Sequence, residues 1–323
     1  MRLDATIAAT ALGLWAATAA AEELSFANYM PAGHPYVAGA FQPFADMVAE
    51  KTGGSVTVRV YSGGELGPGP VEQYNRAVDG VADFAISLPG YTASSFPLTL
   101  SAELPGVLQT ETGTQDLWDH IDLLSDEYRR VRLISLWSNA PNVLYTRDVA
   151  VRSPADVRGL NIRVPSRNAG LQITAWGGNP VSMPVTEIYN AMQTGVIDGA
   201  MIDTTATRAF RLGEVAKHLT LGFEATNSPF FVLMNLDAWR ALSEEEQAVV
   251  AEAGREASLM ANRTQLREAE AGVAGFEEMG GEVIRLTEAE AAAFDALSAQ
   301  VVDQVLAKAG AESRAFVEAL RGE

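Results

Sequence analysis

The chain has no cysteine among its 323 residues. Thiol catalysis, disulfide cross-links and cysteine-based metal sites are therefore excluded. Basic residues are scarce: 23 Lys and Arg stand against 41 Asp and Glu, a formal net charge of −18. A surface of that sign repels nucleic acid and anionic lipid, so neither is expected as a partner. It also repels a small anion at long range, so any anion site must rest on local positive groups. The three histidines, His34, His120 and His218, are far apart in sequence. No HExxH, GxSxG or Walker loop occurs, and "GGELGPGP" lacks the lysine and the GxGxxG order of a phosphate cradle. Asp198 and Asp203 flank a short strand, and alternation sends them to opposite faces, a poor arrangement for an acid–base pair or a metal. With no recognisable nucleophile, base or metal set, no enzyme, metal or cofactor is expected.

Long apolar runs are absent too. The chain opens with "MRLDATIAATALGLWAATAAA", apolar from Ala5 to Trp15 and ending in Ala19, Ala20 and Ala21. This is too short and too rich in Ala and Thr for a span of roughly 20 apolar residues. It reads as a secretory signal over residues 1–21, cut after Ala21, although Asp4 offsets Arg2 in its first region. A cysteine-free exported chain is compatible with a bacterial periplasm.

What remains is an alternation of strands and helices. "LSFANYM", "SVTVRVY" and "DFAISL" read as strands, separated by helices from about Tyr36 and near Val71–Val78. A helix from about Thr114 and the strand "VRLISLW" continue this lobe. A second series begins near Tyr145: "LNIRV", a helix through Trp176, "NPVSM", a helix from Thr186 to Thr194, and "DGAMID". Two β-α-β-α-β units in succession predict an α/β protein of two lobes with a cleft between them, the favoured place for a ligand. Ser243 and Glu246 have capping-box spacing and open a helical pattern that runs to about Met279. At roughly 50 Å it is long enough to lie across both lobes. Thr287 and Glu290 repeat the capping box and are expected to open a helix of the second lobe.

In "GLNIRVPS", Leu160, Ile162 and Val164 fall on one face of a half-buried strand and Arg163 on the other. Composition leaves two readings open: an edge arginine in water, or a guanidinium fork that grips a carboxylate. Trp176 lies within a helix and is expected in the core; Trp239 is expected to pack on core or surface. Trp137 ends its strand just before "SNAPN", where both cleft and core are open to it. Tyr29 and Tyr91 follow strands at comparable loop positions, with the same two placements open.

"GLNIRVPS", "GGNPVSMPVTEIYNAMQTGVIDGA" and "EVAKHLT", with "EKTGGSVTVRVYSGGELG" and "DGVADFAI" upstream, resemble the solute-binding proteins of tripartite ATP-independent periplasmic (TRAP) transporters, the DctP family. The resemblance covers nearly the whole mature chain. It implies a two-lobed periplasmic binding protein, each lobe a mixed sheet flanked by helices, with a long helix spanning both. The lobes would be 22–145 with about 230–262, and 146–229 with about 263–323. Such a protein acts as a monomer, closes on a small organic anion and delivers it to TRAP membrane permease subunits; a sensing role for a kinase or chemoreceptor is the alternative. Arg163 matches the family's carboxylate-binding arginine. The remaining candidate ligand contacts are Tyr29, Ser87, Tyr91, Trp137, Asn142, Val185 and Asp203. Asp203 has a second reading, as a helix cap before Thr204. Where sugar-acid members are polar, the matching positions here are Pro68, Leu88, Val185, Ile202 and Pro229, and "DGAMID" replaces "DGQENP". The expected ligand is thus a carboxylate with an apolar or aromatic body.

Overall fold

The computed structural model describes residues 22–322. The expected signal, 1–21, lies outside the described residues. Eleven strands form two mixed sheets. The first has the order β2-β1-β3-β10-β4, from Glu22–Ala27 (β1), Val56–Tyr61 (β2), Phe84–Ser87 (β3), Arg132–Ser138 (β4) and Pro229–Met234 (β10). The second has the order β11-β9-β5-β8-β6-β7. Its strands are Val143–Thr146 (β5), Asn161–Val164 (β6), Asn179–Ser182 (β7), Gly199–Ile202 (β8), His218–Leu221 (β9) and Glu282–Arg285 (β11). Each sheet contains one strand antiparallel to both neighbours: β10 in the first, β5 in the second. Both are intruders from the other lobe's chain segment. β5 follows β4 across the gap, and β10 follows β9 back.

The strand sequences explain their places. "PFFVLM" of β10 is buried at all six positions, as a strand covered on both faces must be, and its Pro229 stands at the strand's first residue. "VTVRVY" of β2 mixes buried and exposed positions at the sheet edge. The two crossovers are zipped together. The backbone N–H of Asn139 donates to the Ser228 carbonyl at 3.0 Å, and that of Asn142 to the Thr226 carbonyl at 2.9 Å.

The third crossover is the helix Glu244–Glu278, 35 residues long. Both capping boxes form as the spacing predicts, Ser243 with Glu246 and Thr287 with Glu290. Two glycines let the long helix touch both lobes. A Cβ on Gly254 would lie 2.3 Å from the Ile134 carbonyl oxygen of β4, and one on Gly272 1.9 Å from that of Thr204, just past β8. No helix among the described residues is long and apolar enough to cross a membrane.

The expected lobe boundaries need two adjustments. Val143–Tyr145 pair in the second sheet, so the first crossover precedes them. The C-terminal part also divides. Phe294, in the helix Glu288–Lys308, packs with Trp176 and Phe223 in the second lobe. Val302 and the last helix, Ala311–Arg321, return to the first lobe, where Phe316, Val317 and Leu320 join a core with Phe231 and Leu117. The apolar stripe was there to read, but periodicity does not say which lobe receives it. Trp176 is in the core, 1% exposed, as expected. Trp239 packs partly buried beneath the Arg132 guanidinium, 4.7 Å from its ring centre.

Candidate ligand-binding site

Strand β6 buries Ile162 and Val164 against the second lobe's core and sends Arg163 the other way. Arg163 is nevertheless only 1% exposed. Its Nε donates to the Met183 carbonyl at 2.9 Å, Nη1 to the Met201 carbonyl at 3.2 Å, and Nη2 to the Tyr91 hydroxyl at 3.1 Å. An arginine has five N–H donors; three are used, and one remains on each terminal nitrogen. No acidic side chain forms an ion pair with it among the described residues. A guanidinium this buried is costly without an anionic partner.

Arg163 opens on a cavity lined by residues of both lobes. Tyr91 reaches it from the first lobe. Its hydroxyl accepts from Arg163 and also from the Val185 backbone N–H at 3.1 Å. With both lone pairs engaged, the hydroxyl proton is free to donate into the cavity. Tyr29, 4% exposed, lines the same space, and its hydroxyl has no partner among the described residues. Burial, then the neighbouring Tyr91, raises its pKa, against the lowering influence of Arg163. Leu88, Val185, Ile202, Phe210 and Phe230 supply apolar walls.

Asp203 stands just after β8 and before the short helix Ala206–Ala209, whose N-cap is Thr205. Its Oδ1 accepts from the Thr205 backbone N–H at 3.0 Å and from the Thr205 hydroxyl. It also lines the cavity, and its Oδ2 accepts from Gln265 at 3.0 Å. Burial raises its pKa, and the Thr205 and Gln265 bonds oppose that shift. Asp198, by contrast, is structural: its carboxylate accepts the Asn161 N–H at 2.8 Å.

The structure brings Arg163, Tyr29, Tyr91, Asn142, Val185 and Asp203 together around the cavity. Two candidates stand elsewhere. Ser87 is buried with its hydroxyl turned to the Pro70 carbonyl at 3.1 Å, because β3 is covered on both faces. Trp137 lies one layer behind, stacked on Phe230 at 5.5 Å, its Nε1 donating to the Tyr36 hydroxyl at 2.9 Å. Asn142 lines the cavity, but its amide is occupied by the hinge, donating to Thr226 at 2.9 Å and Ser228 at 3.1 Å. Of the expected apolar positions, Leu88, Val185 and Ile202 line the space; Pro68 and Pro229 do not.

Sequence reasoning missed His34, Tyr36, Asn139, Ser228, Phe230 and Gln265. The "PAGHP" loop directly after the first strand held a signal for His34. Gln265, one amide within a long helix, offered none. A hydrogen-bonded chain now joins them: Trp137 donates to Tyr36, Tyr36 to the Gln265 carbonyl, and Gln265 to Asp203. Burial lowers the His34 pKa to about 4. Behind the wall, Glu103 is fully buried. Its Oε1 accepts from Ser228 at 2.5 Å. Burial lifts its pKa to about 7 against the opposing hydroxyls and the charge of Arg163.

Residues 26–309 match the family described as bacterial extracellular solute-binding protein, family 7 (DctP). A TRAP solute-binding protein from Rhodoferax ferrireducens T118, in complex with copurified benzoate, has the same fold. It superposes with a TM-score of 0.86 at 24% identity, covering 93% of this chain and 96% of that one. A TRAP periplasmic solute-binding protein from Bordetella bronchiseptica, with bound (R)- and (S)-mandelate, gives 0.84 at 26% identity, covering 93% and 98%. The 2,3-diketo-L-gulonate-binding periplasmic protein of Escherichia coli is 26% identical over 252 residues, 76% of each chain.

Proposed function

Because the chain belongs to family 7 of the bacterial extracellular solute-binding proteins, we propose that its cleft captures a small organic acid with an aromatic or apolar body for a TRAP-type membrane permease. The family is one of binding proteins, not enzymes. On this reading the chain is exported to the periplasm, with residues 1–21 as the cleaved signal, and works as a monomer.

One observation carries the proposal: Arg163 is buried, held by two carbonyls and a phenol, and has an N–H left on each terminal nitrogen but no acidic partner. A ligand carboxylate bridging those two N–H groups supplies the missing charge. Tyr91 and Tyr29 line the same cavity, and on this reading their hydroxyls join the carboxylate. The body of the ligand is argued from the polar groups already spent. Asn142 is bonded to the hinge, Gln265 to Tyr36 and Asp203, and Asn139 to Ser228. A polyol would find few partners and lose its water. An apolar or aromatic body needs few such partners and packs against the apolar walls. The mandelate-bound relative from Bordetella bronchiseptica supports this choice.

The test is titration calorimetry with thermal melting of the mature protein. The panel is benzoate, phenylacetate, mandelate and branched aliphatic keto acids, with glucuronate and galacturonate as the contrast. Ligands that bind the folded state raise its melting temperature. Aromatic or apolar acids should do so, and Arg163→Gln should lose at least ~100-fold in affinity, from the roughly 3 kcal/mol or more that breaking a buried pair costs. A uronate that outcompetes the rest would overturn the ligand class. Wild-type affinity in Arg163→Gln would overturn the site.

A further inference from the structure

His34 stands in the turn after β1, 4% exposed, on the first-lobe side of the cavity. Its ring packs 4.9 Å from that of Tyr36 and 5.7 Å from that of Phe210. Its Nδ1 accepts the backbone N–H of Tyr36 at 3.2 Å. An imidazole nitrogen that accepts carries no proton, so the neutral ring holds its proton on Nε2. That Nε2–H has no hydrogen-bond partner among the described residues and is not counted among their buried, unsatisfied polar atoms, and His34 lines the cavity. Burial depresses the ring's basicity. The imidazole is thus a neutral donor, apart from the charged cluster that faces the ligand carboxylate.

Arg163 and His34 line the same cavity from different lobes, so an acid held at Arg163 shares that space with the imidazole. A plain hydrocarbon there would close the cleft over an unpaired N–H, which costs about 1–3 kcal/mol. We propose that His34 is a second recognition point, donating from Nε2 to an oxygen on the ligand's body remote from the carboxylate, so that ring-hydroxylated aromatic acids are selected over their unsubstituted parents. This rests on the carboxylate reading of Arg163. The local bond to Tyr36 explains why the ring is held in place; it leaves the second nitrogen without a structural role.

The experiment compares acids in pairs: benzoate with 3- and 4-hydroxybenzoate, and phenylacetate with its 3- and 4-hydroxy forms, by calorimetry. In wild type, one hydroxylated isomer of a pair should bind roughly tenfold tighter than the parent, the worth of one hydrogen bond in a closed site. His34→Phe keeps a ring between Tyr36 and Phe210 but removes the donor, and the ratio should collapse toward one. His34→Asn, which can accept from Tyr36 and still donate, should restore part of it. Independently of any variant, the Nε2 resonance of histidine-labelled wild type should shift with the hydroxylated acid and not with the parent. Equal affinities within every wild-type pair, an unmoved resonance, or a ratio that survives in His34→Phe would each overturn the inference. Arg163→Gln separates the two levels. If it loses all acids while wild type shows no preference for oxygen, only the role of His34 falls. If it binds as wild type does, or if wild type binds no acid of the panel, the carboxylate reading falls and this one with it.

Discussion

Tyr29, His34 and Tyr36 on the first lobe face the same cavity as Arg163 and Asp203 on the second, yet burial acts on the two sets differently. On the first lobe, burial works against charge on the groups at and behind the cavity. Burial raises the pKa of both tyrosines, lowers that of His34 to about 4, and lifts Glu103 behind them to about 7. The second lobe keeps a charge. A guanidinium cannot escape its desolvation cost by losing a proton, so Arg163 is hydrogen-bonded by carbonyls instead. One wall therefore sets shape and neutral donors, and the other demands an anion. On the proposed reading, closing the cleft on a carboxylate completes the second wall, and ligand and closure then favour each other.

The neutrality of the first wall can be tested by pH, and the effect is the largest of those argued here. Glu103 is shifted from 4.5 up to about 7. Its contribution to stability is complete below about pH 4.5 and is lost as pH rises through 7. His34 is shifted from 6.5 down to about 4. Its contribution is complete above about pH 6.5 and is lost as pH falls through 4. Each shift corresponds to roughly 3 kcal/mol, and the two slopes oppose each other over the shared window. Glu103→Gln should remove the falling slope, so that unfolding free energy, relative to wild type, gains roughly 3 kcal/mol between pH 4.5 and 7. His34→Asn should give a difference of opposite sign between pH 6.5 and 4. Urea unfolding across this range measures both. Difference curves that are flat would mean the two groups titrate as they do in water, and the comparison between the walls would lose its basis.

A mechanical test asks whether the long helix holds the two walls in register. Gly254 meets the first lobe and Gly272 meets the second, each against a backbone carbonyl that cannot turn aside. Alanine at either position should destabilise the protein by roughly 1–3 kcal/mol through overpacking, less what better helix propensity returns. The consequences for binding should differ. Gly272 abuts Thr204, next to Asp203, so Gly272→Ala should also weaken acid binding by displacing the charged wall. Gly254→Ala should cost stability alone. Two variants that melt and bind like wild type would show that the helix yields, and that the walls are set by the crossovers.

The sequence made some of this plain and hid the rest for physical reasons. Arg163 could be read because a lone cation interrupts an alternating strand, so its side is fixed by its neighbours at 162 and 164. The two lobes could be read from repeated strand–helix alternation, and the long helix from its capping box. Trp137 ends its strand and Ser87 came only with the resemblance, but which face of a strand looks into a cleft depends on what covers the other. For Trp137 that is Phe230, from a strand almost a hundred residues away. Gln265 and Phe230 reach the site only through tertiary packing, and nothing local marks them. The last helix carries a clear apolar stripe, yet its docking on the first lobe depends on a face that the first-lobe helices leave open.

The smallest expected effect concerns a hydroxyl that reaches from one wall to the other. Tyr91 belongs to the first lobe, and its oxygen accepts from Arg163 and from the Val185 N–H of the second. Tyr91→Phe leaves the ring and removes only that oxygen. Two donors on the second wall then lose an acceptor, and a bound carboxylate loses one donor. Water can rehydrate Arg163 and Val185 when the cleft is open, so the ligand-free protein should lose little stability. The closed form cannot recover the bonds, so the cost falls on binding, at about 1 kcal/mol or somewhat more, close to tenfold in affinity. Most of that change should appear as faster ligand release, since the contact forms after the lobes meet. Stopped-flow measurement of association and dissociation separates the two rates. A variant that instead melts several degrees lower without ligand, with release unchanged, would place the Tyr91 hydroxyl among the groups that hold the fold together rather than those that hold the cleft shut.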